Sequence, residues 1–420
     1  MWRQAPPHAS AQKPCVRSKT SPLTFRTPAG LKMCSVNEAR RIVFYRTLAI
    51  DQDSRVGSDV RPAKLLGAFR QLGYEVDVVA GPAPTRRQAI EDVKRKIAAG
   101  VTYSFLYAEP PTTPIALNES HHLPTHPLLD YRFLGFIHGR GIPVILFYSD
   151  VQWRLPGYRD RIGWARYLAP RPFFYLDLYA YGRVIDALIV PDKAMLGQVG
   201  RLAARKPSWT SIPGFDPLEV PPDRQPSPKG GALRLFYVGG MEPPVYDLEP
   251  LLRGIEYARS RGLQLELTIC CREPEWKRRP ATYDRYLGGH VTIVHNRNRQ
   301  ELLELYARHD IAVMPYGTLN AAWAMPVKFP EAIGMGLPVL AGAGTPVAKA
   351  VEQQGIGWSV GATDDDFYTV LRGIDAQELE RARSAVQRVR PMYSWTERAR
   401  EITAIADELL VSGNRVPRPA

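Results

Sequence analysis

Lys328 and Glu331 stand three residues apart in Met325-Pro-Val-Lys-Phe-Pro-Glu-Ala-Ile-Gly-Met-Gly-Leu-Pro-Val-Leu-Ala341. The segment predicts a loop that turns into a helix at about Lys328, with a short apolar strand, Leu337 to Ala341, close behind. A helix start offers unpaired N–H groups and a partial positive charge, which suits a diphosphate. A carboxylate one turn further on accepts hydrogen bonds from both hydroxyls of a ribose. Cation, helix start and carboxylate together describe a seat for an activated nucleotide donor. The plainer reading of Glu331 is an acid placed in a first helical turn by the dipole alone.

The elements that must position this pair follow an alternating pattern. Strand-like runs occur at Arg41 to Thr47, Glu75 to Ala80, Val101 to Ala108, Ile142 to Tyr148 and Ala187 to Pro191, with helical spacing between them, for example Val60 to Leu72. After a stretch dense in Pro and Gly, residues 213–231, the alternation restarts. Strands are expected at Leu233 to Val238, Gln264 to Cys270, His290 to Val294, Ile311 to Pro315, Leu337 to Ala341 and Gly357 to Val360. Helices are expected at Asp247 to Ser260, Arg299 to Arg308 and Pro346 to Gln353, the last with Thr345 as its cap. This is α/β architecture: two Rossmann-like parallel sheets covered by helices, facing an interdomain cleft. Ligands of such sheets bind outside the carboxyl ends of the strands.

At 420 residues the chain is too long for one core. Its 45% hydrophobic and 23% charged content is that of a soluble globular protein. The most apolar window, Phe173 to Val190, carries Asp177, Arg183 and Asp186, which argues against a transmembrane helix. The four cysteines fit neither a disulfide framework nor a zinc motif, so a reducing cytoplasm is the simplest setting. The formal charge of +13 is uneven, because residues 1–37 hold six Lys or Arg and no acid, leaving +7 elsewhere. That arm reads as disordered, with a transit-like segment or a misassigned start as alternatives. The remaining basic excess points to an anionic partner: donor phosphates, an anionic membrane face or, least favoured, nucleic acid. No nucleic-acid reader motif occurs.

The second half resembles the nucleotide-sugar domain of retaining glycosyltransferases of the GT-B fold, the group 1 or family four type in its Lys-x-x-Glu variant. The resemblance rests on Lys328-Phe-Pro-Glu331, Ala332 and Gly336-Leu-Pro-Val339. It extends to Arg299 through Pro315, to Phe236-Tyr-Val-Gly-Gly240 and to Tyr393-Ser-Trp395, which opens a terminal helix (394–411) that crosses back to the first domain. It implies an N-terminal acceptor domain over 38–212, a linker over 213–231 and a C-terminal donor domain over 232–392. Glu331 would hold the donor ribose and Lys328 would sit near the diphosphate. Backbone amides of the preceding loop, through Met325 and Val327, would surround phosphates and sugar, and Gly239 and Gly240 would open the donor site. The sequence departs from the pattern at Trp323, where many relatives carry a second glutamate, and at residues 240–247, which lack an Arg and Lys clamp. Arg272 could substitute for that clamp, or belong to a basic surface loop with Lys277, Arg278 and Arg279.

In the first half, Gly57 and Ser58 lie in Arg55-Val-Gly-Ser-Asp-Val-Arg-Pro62, which resembles the loop that reaches the transferred group. Ser58 or Asp59 serves equally as a helix cap. Asp150, ending the run Tyr148-Ser-Asp150, is the candidate acceptor-orienting residue, and Glu109 stands roughly where relatives place a cleft histidine. His121, His122 and His126 lie in a Pro-rich stretch with no carboxylate at ligand spacing, so a surface loop is expected there. Residues 153–175 interleave arginines with aromatics, which suits either a lipid headgroup interface or helix packing. The resemblance implies sugar transfer with retention, without a metal and without a protein nucleophile, from a nucleotide sugar to a glycan or lipid-linked acceptor. A nucleotide-sugar epimerase of the same architecture and a non-catalytic binding protein are the alternatives.

Overall fold

The computed structural model describes residues 40–51, 57–154, 158–217, 231–241, 246–295, 297–314 and 325–411. Two six-stranded sheets organise them, and every strand pairing is parallel. The first runs in the order β2-β1-β3-β4-β5-β6, with β1 Arg41–Tyr45, β2 Glu75–Val79, β3 Phe105–Ala108, β4 Val144–Phe147, β5 Ala187–Val190 and β6 Ser208–Thr210. The second runs β12-β11-β10-β7-β8-β9, with β7 Leu233–Val238, β8 Leu265–Cys271, β9 Val291–His295, β10 Ile311–Met314, β11 Val339–Gly342 and β12 Gly357–Val360.

Both faces of each sheet are covered, which is why the strands β1, β3, β4, β5, β10 and β11 are mainly apolar runs. On β1, Val43 and Tyr45 enter one core cluster while Ile42 and Phe44 enter another, as the two-residue period of a strand requires. In the second sheet Phe236 and Leu235 divide in the same way. β6 has no counterpart in the sequence reading. It is three residues long, half-exposed, and follows Pro207, so it shows neither alternation nor an apolar run. The run at residues 101–104 lies outside β3, and Ile142 precedes β4.

The terminal helix Trp395–Val411 packs on the first sheet, against the helix Gly57–Gln71. Trp395, Ala399, Ile402, Ala406 and Leu409 recur at helical spacing and join Leu65, Leu66 and Phe69 in one cluster. Where the chain leaves the first sheet and where it returns, the backbone is paired. Phe215 N–H donates to Tyr393 O at 2.9 Å, and Trp395 N–H donates to Phe215 O at 3.0 Å. With this crossing helix the architecture is that of the GT-B fold.

Candidate functional site

Glu331 sits in the first turn of the helix Lys328–Gly334, reached by the chain as it leaves the carboxyl end of β10. It is 6% exposed. A buried carboxylate this poor in water needs compensating charge. Two cations supply it: Lys328 Nζ lies 2.7 Å from Oε2, and Arg299 Nη1 donates to Oε1. Burial pushes the Glu331 carboxyl up, but Lys328 and then Arg299 outweigh it and hold the group below the ordinary carboxylate range. Val327, at the cap position, offers no side-chain acceptor to the first-turn amides.

Arg299 was not singled out by sequence reasoning. It opens the helix Arg299–Arg308, which starts just past the carboxyl end of β9 on the capping box of Asn298 and Glu301. Tyr306, two turns further along the same face of that helix, is fully buried. Burial, and then the nearby charge of Glu331, drives its hydroxyl well above the usual range. Cys270, at the end of β8, completes the surroundings. Burial pushes its thiol up while Lys328 and Arg297 pull against that shift.

The other donor-side candidates stand apart from this group. Arg272 caps the short helix Glu273–Lys277 and pairs with Glu275 at 3.0 Å, its side chain 71% exposed. Gly239 and Gly240 have a packing reason to be glycine. A Cβ on Gly239 would lie 2.7 Å from the Tyr237 hydroxyl, and one on Gly240 would lie 2.5 Å from the Tyr246 ring. Met325 and Val327 are half-buried just ahead of the Lys328 helix. Trp323, most of the loop before Met325, residues 242–245, the arm 1–37 and most of the linker fall outside the described residues.

At the carboxyl edge of the first sheet, Glu109 follows β3 and is 5% exposed. Tyr107 donates to its Oε2 at 2.7 Å and Arg61 Nε stands 3.4 Å from its Oε1. Arg61 in turn lies 3.7 Å above the Phe147 ring and donates to Ile212 O at 3.1 Å. The first helix begins at Gly57, so Ser58 and Asp59 lie inside it rather than capping it. Asp59 instead pairs with the buried Arg46 at 2.5 Å. Asp150 follows β4 at the same edge. Its carboxylate accepts from Val151 N–H at 2.6 Å and Gln152 Nε2 at 2.5 Å, fixing the turn that carries Trp153. His121 and His122 are exposed and His126 is half-buried, and His122 Nδ1 lies 3.0 Å from Leu117 O.

Residues 232–372 match the family model for glycosyl transferases group 1. The matched segment contains the whole second sheet and the Lys328, Glu331 and Arg299 cluster. Solved structures share the fold over nearly the full chain. Sucrose-phosphate synthase from Thermosynechococcus elongatus is 14% identical with a TM-score of 0.54, covering 89% of this chain and 100% of its own. Anabaena HepE, in complex with UDP-glucose, is 12% identical with a TM-score of 0.56, covering 87% and 99%. WaaG, a glycosyltransferase involved in lipopolysaccharide biosynthesis, is 15% identical with a TM-score of 0.51, covering 86% and 99%. No curated protein matches the chain.

Proposed function

We propose that the chain is a retaining glycosyltransferase that takes a nucleotide-diphosphate sugar and passes the sugar to a glycan or lipid-linked acceptor. The observation that carries this reading is Glu331, a buried carboxylate held ionised by Lys328 and Arg299 at the carboxyl edge of the sheet in the group 1 segment. An ionised carboxylate accepts from both ribose hydroxyls, and binding the ribose there sets the diphosphate beside Lys328. The cluster has two cations to one anion, so a net positive charge faces the leaving diphosphate. Charge placed in advance where negative charge develops is the largest lever such a site has.

The reading needs no metal, since side-chain cations and helix-start amides meet the leaving group. It also needs no protein nucleophile. A donor phosphate oxygen takes the proton of the acceptor hydroxyl as the new glycosidic bond forms on the face the diphosphate leaves. Asp150, at the carboxyl edge of the first sheet, is the acceptor-orienting group in this scheme, and Gly57 and Ser58 approach the transferred sugar by backbone. The protein's part is positioning and charge stabilisation.

Thermal stabilisation by a panel of nucleotide sugars and bare nucleoside diphosphates tests the reading, with chelator present and absent. Stabilisation by at least one donor and its free diphosphate, unaffected by chelator and lost in Glu331→Ala, is expected. No stabilisation by any of them sinks the donor assignment.

A further inference from the structure

We propose that the outward face of the helices Trp164–Leu168 and Arg171–Val184 docks on an anionic lipid bilayer, a property independent of the reaction assigned above. The second helix buries Phe174, Asp177 and Tyr181 against the first domain. Its opposite side carries Tyr175, Leu176, Tyr179 and Arg183, all exposed. A surface helix ordinarily turns polar residues outward. Here Tyr175 is 48%, Leu176 38% and Tyr179 61% exposed. The helix before it buries no residue at all and exposes Trp164 at 61% and Leu168 at 51%. Arg171 donates to the hydroxyls of both Tyr167 and Tyr175 and so joins the two helices. Large apolar side chains exposed in this number over adjoining helices mark an interaction surface.

The charges select the partner. Arg159 lies 4.8 Å from the Trp164 ring, Arg171 4.8 Å from Tyr167, and Arg183 3.5 Å from Tyr179. A guanidinium held over an aromatic ring still presents N–H donors at its edge to a phosphate. Arg159 also pairs with Asp160, and Arg171 with the two tyrosine hydroxyls already named. Residues 154–184 contain six arginines but only two acids, Asp160 and the buried Asp177. Aromatic rings that seat at headgroup depth, beside arginines that meet lipid phosphates, are the composition of an interfacial helix lying in the membrane plane. Like charge opposes the two other candidate occupants. Residues 1–37 carry six cations and no acid, and a second copy would set this arginine row against itself. Among the described residues no helix is long and apolar enough to cross a membrane, so the contact is peripheral. The face is braced to the first sheet by Trp153, stacked on Phe174 at 4.6 Å beside the turn that Asp150 fixes.

Co-sedimentation of the full chain with phosphatidylglycerol–phosphatidylcholine vesicles, and with phosphatidylcholine alone, tests the proposal. Binding to the anionic vesicles, weakened by salt and absent from neutral ones, is expected. Arg166→Glu with Arg183→Glu should weaken it by more than roughly twentyfold, each basic residue near an anionic leaflet being worth about fivefold. Trp164→Ser with Tyr179→Ser should weaken it too. All four side chains are exposed, so neither pair should move the melting midpoint. Absence of binding, equal binding to neutral vesicles, or binding that survives both variants overturns the proposal. So does a dimer in solution that either pair dissociates.

Discussion

Arg299 donates to one carboxylate oxygen of Glu331 across thirty-two residues of sequence, while Lys328 holds the other oxygen from the same turn. The carboxylate is thus shared between a local partner and a distant one, and the distant one must make room for a ribose hydroxyl or stay beside it. Glu331→Ala should cost roughly ten- to a hundredfold in nucleoside diphosphate affinity, the usual range for hydrogen bonds to a charged group. Calorimetric titration measures it, and unchanged affinity would remove Glu331 from the site.

Arg299→Ala addresses the electrostatics. Removing one of two cations leaves burial less opposed, so the Glu331 carboxyl rises toward and above its ordinary range. Wild-type affinity should persist as pH falls until it passes through the depressed value, because the ribose seat needs the ionised form. In Arg299→Ala the acid limb of the affinity profile should move to higher pH, with the neutral-pH plateau less affected than in Glu331→Ala. An acid limb that does not move would show that Arg299 leaves Glu331 untouched in solution.

That partnership also marks the boundary of what was legible in the sequence. Lys328 and Glu331 share one helix turn, so their spacing alone predicts the contact. Arg299 has no spacing relation to Glu331. Only the sheet order, which sets β9 and β10 on either side of β7 and β8, brings their following helices together. The central strands were readable because burial on two faces leaves continuous apolar runs, and β2 was readable because Val76 and Val78 alternate with Glu75 and Asp77. β6 was not, since an edge strand of three residues has one neighbour and little to bury. Asp59 looked like a cap by type, but it lies in the first turn of the helix, where its carboxylate pairs with Arg46.

Glu109 and Arg61 form a buried ion pair that ties the first helix to the end of β3. Breaking such a pair by removing one member strands the other charge, at a cost of about 3–5 kcal/mol. Glu109→Ala should lower stability in urea by that order, and Arg61→Leu should do the same. If Glu109 acts on substrate instead, Glu109→Ala would lose turnover while its denaturation midpoint stayed near wild type.

Gly334 ends the Glu331 helix directly beneath Phe215, and a Cβ there would overlap the ring. Phe215 is buried and covered on one side by Arg390, whose Nε donates to Gly334 O at 2.7 Å. Gly334→Ala should therefore destabilise by about 1–3 kcal/mol, as overpacking does. Phe215→Leu in the same background should recover part of the loss. Thermal melts of the two single variants and the double variant measure the coupling, and additive effects would show that the ring is not the obstacle.

Asp177 lies on the buried face of the helix Arg171–Val184, with Tyr131 and the Ile115 amide as its donors, the latter at 3.2 Å. Burial pushes its carboxyl up to about 7, only partly opposed by those two hydrogen bonds and reinforced by the charge of Asp130. A carboxyl raised in the folded state binds more protons there than in the unfolded chain. Its contribution is then fully present below the unfolded value, near 4, and is lost as pH rises through about 7. Asp177→Asn keeps an acceptor for Ile115 and carries no charge to desolvate. It should flatten the fall in stability between about pH 4 and 7 and leave the variant more stable than wild type above that window, by up to a few kcal/mol. Urea denaturation at a series of pH values reads this directly. Parallel curves for the two proteins would mean that Asp177 is ionised throughout.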